Sequence, residues 1–203
     1  MKIICIGRNY AEHAKEMNAA VPTEPVFFLK PDTAIIKDNA PFYYPDFSKE
    51  IHHEVELVMK INKPGKNIEP KFAHKYYDEI GIGIDFTARD IQAKCKEKGL
   101  PWEKAKAFDG SAPIGKFIDK KNLKDLNDIN FQLTINGKVV QKGNTKDLLF
   151  SFDTIIAYVS TFLTLKKGDL IYTGTPEGVG NVEIGDRLQA SIENEKLLDF
   201  QIK

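Results

Sequence analysis

The sequence predicts a mostly β fold of the mixed α+β class. Short runs of β-branched and aromatic residues outnumber the helical segments. The two kinds of segment do not alternate regularly, which argues against a doubly wound parallel sheet. Asn136-Gly137, between two of the runs, is a strong two-residue hairpin signal.

In chain order, residues 3–6 (Ile-Ile-Cys-Ile) form the first strand. A short helix follows over 11–17, then a strand over 26–29. Residues 37–49, rich in Pro, Asp and aromatics, read as a surface loop or lid. Residues 55–61 form a strand, 62–69 a loop turning at Pro64-Gly65, and 80–84 another strand. A helix over 88–98 starts after Thr87 with Asp90 three residues on, resembling a capping box in which Asp replaces Glu or Gln. Gly99 ends it and Pro101 forbids its return. Strands at 131–135 and 139–141 flank Asn136-Gly137, and Ser151 caps a helix over 151–162. Strands at 170–173, 187–192 and 197–202 complete the chain, with Asn194-Glu195 closing the last hairpin.

The 203 residues fit one domain spanning 1–203, and a chain of this size buries about 70% of its unfolded surface without staples. Lys and Arg number 29 and Asp and Glu 29, so a formal net charge of zero supplies no field to attract nucleic acid or an anionic membrane. The longest apolar candidate, 155–165, carries Ser160, Thr161 and Thr164 and falls short of the ~18 residues of a membrane span. The apolar start is too short for a signal peptide. Cys5 and Cys95 form neither a disulfide framework nor a zinc site, and both read as reduced, packed thiols of a cytoplasmic protein.

Residues 52–59 read His-His-Glu-Val-Glu-Leu-Val-Met. In a strand, Glu54 and Glu56 share one face, about 7 Å apart, with Val55 and Leu57 on the other. The run 80–84 also ends on an acid, Asp85. Such a trio suits a hard divalent ion, which takes oxygen ligands and leaves positions for a chelating substrate. An ordinary half-exposed strand shows the same alternation, and spacing alone does not separate the two. Gly81-Ile82-Gly83 lacks the third glycine of a dinucleotide fingerprint, and 174–180 lacks the Lys-Ser/Thr of a phosphate loop.

His13 and Glu16, three apart on the first helix, lie within hydrogen-bond reach. A carboxylate holding one imidazole nitrogen leaves the other free as a general base, and a surface pair without a task has the same spacing. Lys30 and Lys106 are flanked by apolar residues, whereas the lysines within 94–98 read as solvated. His52, His53 and His74 read mainly as structural or exposed, and His53 can also support the acidic trio.

The ordered segments Gly7-Arg8-Asn9-Tyr10-Ala11-x-His13-x-x-Glu16, Phe28-Leu29-Lys30-Pro31, His53-Glu54-x-Glu56-Leu57, Asp85-x-Thr87-Ala88-Arg89-Asp90-x-Gln92, Lys106-x-Phe108-Asp109 and Thr173-Gly174-Thr175-Pro176-x-Gly178-Val179-Gly180 resemble the fumarylacetoacetate hydrolase family from residue 3 to about residue 200. Lys98-Gly99-Leu100-Pro101-Trp102 ahead of Ala105-Lys106 resembles its acylpyruvase/oxaloacetate decarboxylase branch. The resemblance implies a mixed β-roll assembling as a homodimer, without the smaller N-terminal domain of larger relatives. It implies Mg²⁺ or Mn²⁺ on Glu54, Glu56 and Asp85, and catalytic roles for His13, Glu16 and Lys106. Arg8, Lys30, Arg89, Gln92 and Thr175 fall on substrate-binding positions. Two departures from the family pattern touch no chemistry: Ala107 stands where many relatives have Ser, and no Pro precedes Gly185-Asp186.

The implied activity is metal-dependent hydrolysis of the C–C bond of acylpyruvates, such as acetylpyruvate or fumarylpyruvate, together with oxaloacetate decarboxylation. A tautomerase or isomerase of the same oxoacids is the alternative. A catalytically dead metal-binding scaffold is a third reading, and it has no need for the intact set of site residues. The expected partner is a small oxoacid, not nucleic acid or membrane.

Overall fold

The computed structural model describes residues 1–17 and 20–203. In order, the elements are β1 (Ile3–Gly7), α1 (Ala11–Glu16), β2 (Val26–Lys30), β3 (Ile35–Ile36), β4 (Ile51–His53), β5 (Val55–Ile61), α2 (Pro70–Ala73), β6 (Tyr77–Ile84), β7 (Thr87–Ala88), α3 (Arg89–Lys98), α4 (Glu103–Lys106), β8 (Ala112–Asp119), β9 (Asn130–Ile135), β10 (Lys138–Asn144), α5 (Phe152–Phe162), β11 (Leu170–Tyr172), β12 (Gly180–Asn181), β13 (Arg187–Ile192) and β14 (Glu195–Gln201). The fold is mostly β, as expected, and each strand and helix read from the sequence is present within a few residues.

Seven strands in the order β2-β1-β11-β5-β6-β8-β3 make the main sheet. The pairs β1–β11 and β3–β8 are parallel and the others antiparallel, so the sheet is mixed. A four-stranded sheet, β10-β9-β13-β14, and a three-stranded one, β12-β4-β7, complete the roll. Alternation along the strands divides the core between two faces. Ile4, Ile6, Leu57, Met59, Ile80 and Ile82 pack with Ile155, Ile156 and Val159 of α5 and with Leu133, Leu188 and Phe200 of the second sheet. Ile3, Cys5, Val58, Leu170 and Tyr172 fill the other face with Ala112 and Ile114. Glu56 lies two residues from Val58 and so belongs to this second face.

Local signals hold where the backbone alone decides. Asn136 and Gly137 adopt φ of 51° and 79°, the mirror-image turn that suits strand twist. The Ser151 side chain accepts from the Thr154 N–H at the start of α5. Thr87 differs from expectation: it pairs with His52 in β7, and α3 begins at Arg89 without a side-chain cap, its first N–H donating to the Glu50 carbonyl. The last hairpin turns at Glu193-Asn194, one residue earlier than expected, after a bulge at Ala190/Ser191.

β8 carries no clear strand signal because Pro113 and Gly115 interrupt it. Pro113 pairs with the short edge strand β3, and Gly115 lies where a Cβ would come within 2.6 Å of the Leu197 carbonyl oxygen. Residues 37–49 are a loop but not a lid. Phe42 stacks on Phe86 with centroids 4.2 Å apart, and its backbone pairs with Gln201 and Lys203, pinning the segment to the C-terminal strand. Cys5 and Cys95 are unpaired and buried, and among the described residues no helix is long and apolar enough to cross a membrane.

Candidate metal centre and active-site cleft

The main sheet gathers the site at one end. β1 and β11 run parallel while β2 and β5 run against them, so the ends of β1, β6 and β11 meet the starts of β2 and β5. A cleft of about 340 Å³ opens there, lined among others by Arg8, His13, Glu54, Glu56, Asp85, Arg89, Gln92, Lys106 and Thr175.

Glu54 and Asp85 leave the β5–β6 ladder side by side, and the Asp85 N–H donates to the Glu54 carbonyl at 2.8 Å. With Glu56 they form three buried acids that can each offer an oxygen within 4.8 Å of the others. Glu56 Oε2 accepts from the Gly174 N–H at 2.7 Å. Lys106 Nζ donates to Glu54 Oε2 at 2.7 Å and Asp85 Oδ2 at 2.8 Å. Arg89 Nη2 donates to the other Glu54 oxygen at 2.6 Å, and its Nη1 to Gln92 at 2.7 Å.

These contacts drive the carboxyls apart in proton affinity. Burial raises Glu54, but the Lys106 and Arg89 cations outweigh it and hold the group well below the usual carboxylate range. Burial also raises Glu56, and Asp85 and Glu54 push it further up. For Lys106 burial favours the neutral amine, yet Asp85 and Glu54 win and keep it a cation. Hard oxygen donors on three buried carboxylates fit Mg²⁺ or Mn²⁺. Asp85 Oδ1 is paired from behind with the buried Lys30 Nζ at 2.7 Å, which steadies the acid as a ligand.

His13 is buried at the cleft wall, its Nδ1 3.2 Å from Glu16 Oε2. Glu16 Oε1 accepts from the Gly178 N–H at 3.0 Å, so one carboxylate ties α1 to the loop after β11. That loop is tight: Gly174 has φ of 99°, and a Cβ there would sit 2.7 Å from the Asn9 Cβ. Asn9 itself is locked by its side-chain bonds to the Thr173 and Phe150 carbonyls and to the Phe150 N–H.

Lys30 does not line the cleft. Its side chain is fully buried behind Asp85, where it contacts that carboxylate, the carbonyls of Phe86, Lys106 and Ser111, and the Ser111 hydroxyl. A substrate cannot reach it, so its expected substrate-binding role gives way to support of the acid. His53 bonds Gln141, not an acid of the trio, and burial lowers its proton affinity. Lys96 is exposed, as expected of a solvated lysine, and also lines the cleft. Its spacing, seven residues after Arg89 and four after Gln92, is the sequence signal that marks it. Gln141 had no such signal, being 86 residues from the Val55 N–H it accepts.

The model of the fumarylacetoacetate (FAA) hydrolase C-terminal family matches residues 2–201. The chain belongs to that family. It is 43% identical over 201 residues to the mitochondrial oxaloacetate tautomerase FAHD1 of Mus musculus, covering 99% of this chain and 91% of the relative. A mitochondrial oxaloacetate decarboxylase of Dictyostelium discoideum is 43% identical over 192 residues, 94% of this chain and 88% of that one. The crystal structure of fumarylpyruvate hydrolase from Pseudomonas aeruginosa, in complex with Mn²⁺ and pyruvate, superposes with a TM-score of 0.93 at 36% identity, covering 100% of this chain and 89% of that one. The fumarylacetoacetate hydrolase family thus includes enzymes named for tautomerisation, decarboxylation and hydrolysis of oxoacids.

Proposed function

We propose that this protein is a divalent-metal-dependent enzyme of enolisable 2-oxo acids, with oxaloacetate keto–enol tautomerisation as its main reaction. The observation that carries the proposal is the buried trio Glu54, Glu56 and Asp85 with Lys106 across two of its members. When bound, Mg²⁺ or Mn²⁺ supplies Lewis-acid stabilisation of charge developing on a 2-oxo oxygen. Lys106 adds a fixed cation beside that charge in a water-poor site, where it acts more strongly than in bulk water. Thr175 faces the same space and can hold a substrate carboxylate, while Arg89 braces Glu54 and Gln92 at its edge. His13, oriented by Glu16, exchanges the proton at C3 that separates keto from enol.

Sequence motifs put acylpyruvate hydrolysis first, and the named activities of the relatives move tautomerisation ahead of it. Hydrolysis stays as the second reading because the His13–Glu16 pair at 3.2 Å is also the geometry of a base that activates water. Oxaloacetate decarboxylation needs no such water. The unpaired cysteines support a reducing compartment, which we take to be the cytoplasm, and the family resemblance supports a homodimer. The test follows ultraviolet absorbance of the oxaloacetate enol and of acetylpyruvate with Mg²⁺ or Mn²⁺. The expected result is metal-dependent loss of the enol signal faster than acetylpyruvate cleavage. Undiminished rates after EDTA treatment would remove the metal from the reaction.

A further inference from the structure

The cleft carries more positive charge than its own acids use. Its walls hold the carboxylates of Glu54, Glu56 and Asp85 against the cations Arg8, Arg89, Lys96 and Lys106. Arg89 and Lys106 are spent on the trio. Among the described residues, Arg8 and Lys96 have no carboxylate within ion-pair distance. A bound divalent ion would add to the positive excess, and a monocarboxylate substrate would cancel only one charge of it.

The Arg8 backbone and the Lys96 ammonium group are each held in place. Arg8 has φ of 58°, the left-handed region that a non-glycine residue occupies only when its surroundings impose it. The imposing contacts are those of Asn9, the next residue, to Thr173 and Phe150. Lys96 Nζ lies 5.8 Å from the Trp102 ring centroid, so the indole steadies the ammonium group at the cleft wall. Arg89, Gln92 and Lys96 share one face of α3, with Lys96 about 10 Å along the axis from Arg89. Positive groups thus continue from the acids outward. Burial, then Arg89 and Arg8, lower the proton affinity of Lys96 against the opposing pull of Glu54.

We propose that Arg8 and Lys96 form a receptor for a second carboxylate at the far end of the substrate, so that the cleft selects dianionic 2-oxo acids over monoanionic ones. The proposal rests on the oxoacid reading above and deepens it. The 2-oxo acid end occupies the acid trio and Thr175, the connecting carbons pass the apolar wall of Val26, Phe28 and Trp102, and the distal carboxylate meets the two cations. A neutral acyl end would leave both cations facing each other.

The experiment compares kcat/KM for oxaloacetate and fumarylpyruvate, both dicarboxylates, with acetylpyruvate, a monocarboxylate, in wild type, Lys96→Met, Lys96→Arg and Arg8→Gln. Calorimetric titration with oxalate and Mg²⁺ reports the inner end of the site separately. The expected result is that Lys96→Met and Arg8→Gln lower the dicarboxylate-to-monocarboxylate ratio about tenfold for at least one dicarboxylate. The fall should enter through KM, and Lys96→Arg should restore it. A ratio that stays fixed, whether all rates fall together or none change, overturns the receptor and leaves the oxoacid reading standing. Wild-type protein that converts none of the three substrates and binds no oxalate overturns both.

Discussion

Gln141 fixes Thr175. Its Nε2 donates to Thr175 Oγ1 and to the Pro176 carbonyl, each at 2.9 Å, while its Oε1 accepts from the Val55 N–H at 3.0 Å. One buried amide from the second sheet therefore joins the loop after β11 to the strand that carries Glu56. Gln141→Leu should cost about 1–3 kcal/mol by leaving these buried groups unpaired. Urea melts should show the loss, and KM for oxoacids should rise as Thr175 loses its orientation. An unchanged KM would make the amide purely structural.

Asp85→Asn should abolish measurable Mn²⁺ binding by calorimetry, since the trio loses one of its charges. Turnover of oxaloacetate and acylpyruvates should vanish with it. Both Asp85→Asn and Asp85→Ala should also destabilise the fold, the alanine by about 3–5 kcal/mol, because Lys30 would keep a buried charge without its charged partner.

His13→Ala should separate the reactions that need a proton shuttle from the one that does not. Tautomerisation, and any acylpyruvate hydrolysis, should fall on the order of 10²–10⁴-fold, the usual range for a general base. Oxaloacetate decarboxylation needs only a held oxoacid and a stabilised enolate and should fall much less. Equal losses with metal binding intact would assign His13 a role common to all of them.

Gly174→Ala should be among the costliest single-methyl additions. The left-handed backbone costs about 1–2 kcal/mol for a residue with a Cβ, and the clash with the Asn9 Cβ at 2.7 Å adds overpacking of about 1–3 kcal/mol. Gly168→Ala is the control: its φ is 88°, and no atom stands within 4 Å of the added carbon. Thermal melts of the two variants should differ by the packing part.

Asp199 should contribute to the acid limb of stability. Arg187 donates to it twice, at 2.7 and 2.9 Å, and Gln189 and Lys196 donate as well. The Arg187 hydrogen bonds, first among these causes, hold its carboxyl below the usual range in the folded protein. A depressed folded value means that the stabilisation is present above the unfolded pKa of about 3.9 and is lost as pH falls through the folded one. Asp199→Asn should lower Tm at pH 6, and the gap from wild type should narrow below about pH 4. The pair is near the surface, so high salt should shrink the gap at every pH.

The acidic centre was legible through the ordered family motifs. Spacing suggested that Glu54 and Glu56 share a side and that His13 reaches Glu16 through one helical turn, but it left an ordinary strand and a surface pair equally open. Asn136-Gly137 and Ser151 act on backbone groups within a few residues, so their turn and cap followed directly. Thr87 shows the limit: a good capping residue was drawn into β7 because His52 offered a strand partner.

By itself, then, the sequence determined the β-rich class and nine of the fourteen strands through alternation along single elements, and its ordered family motifs marked the three acids and the histidine–glutamate pair. Tertiary structure alone decided which cations serve the cleft. Lys30, singled out by its apolar neighbours, is buried behind Asp85 out of a substrate's reach, while Lys96, in a run that reads as solvated, stands over Trp102 at the cleft wall. Strand order likewise decided the place of Gln141 and of β8, whose proline and glycine are tolerated only because a short edge strand and Leu197 stand beside them. A side chain's neighbours across a sheet come from segments many tens of residues away, and those neighbours set its charge, its reach and its role.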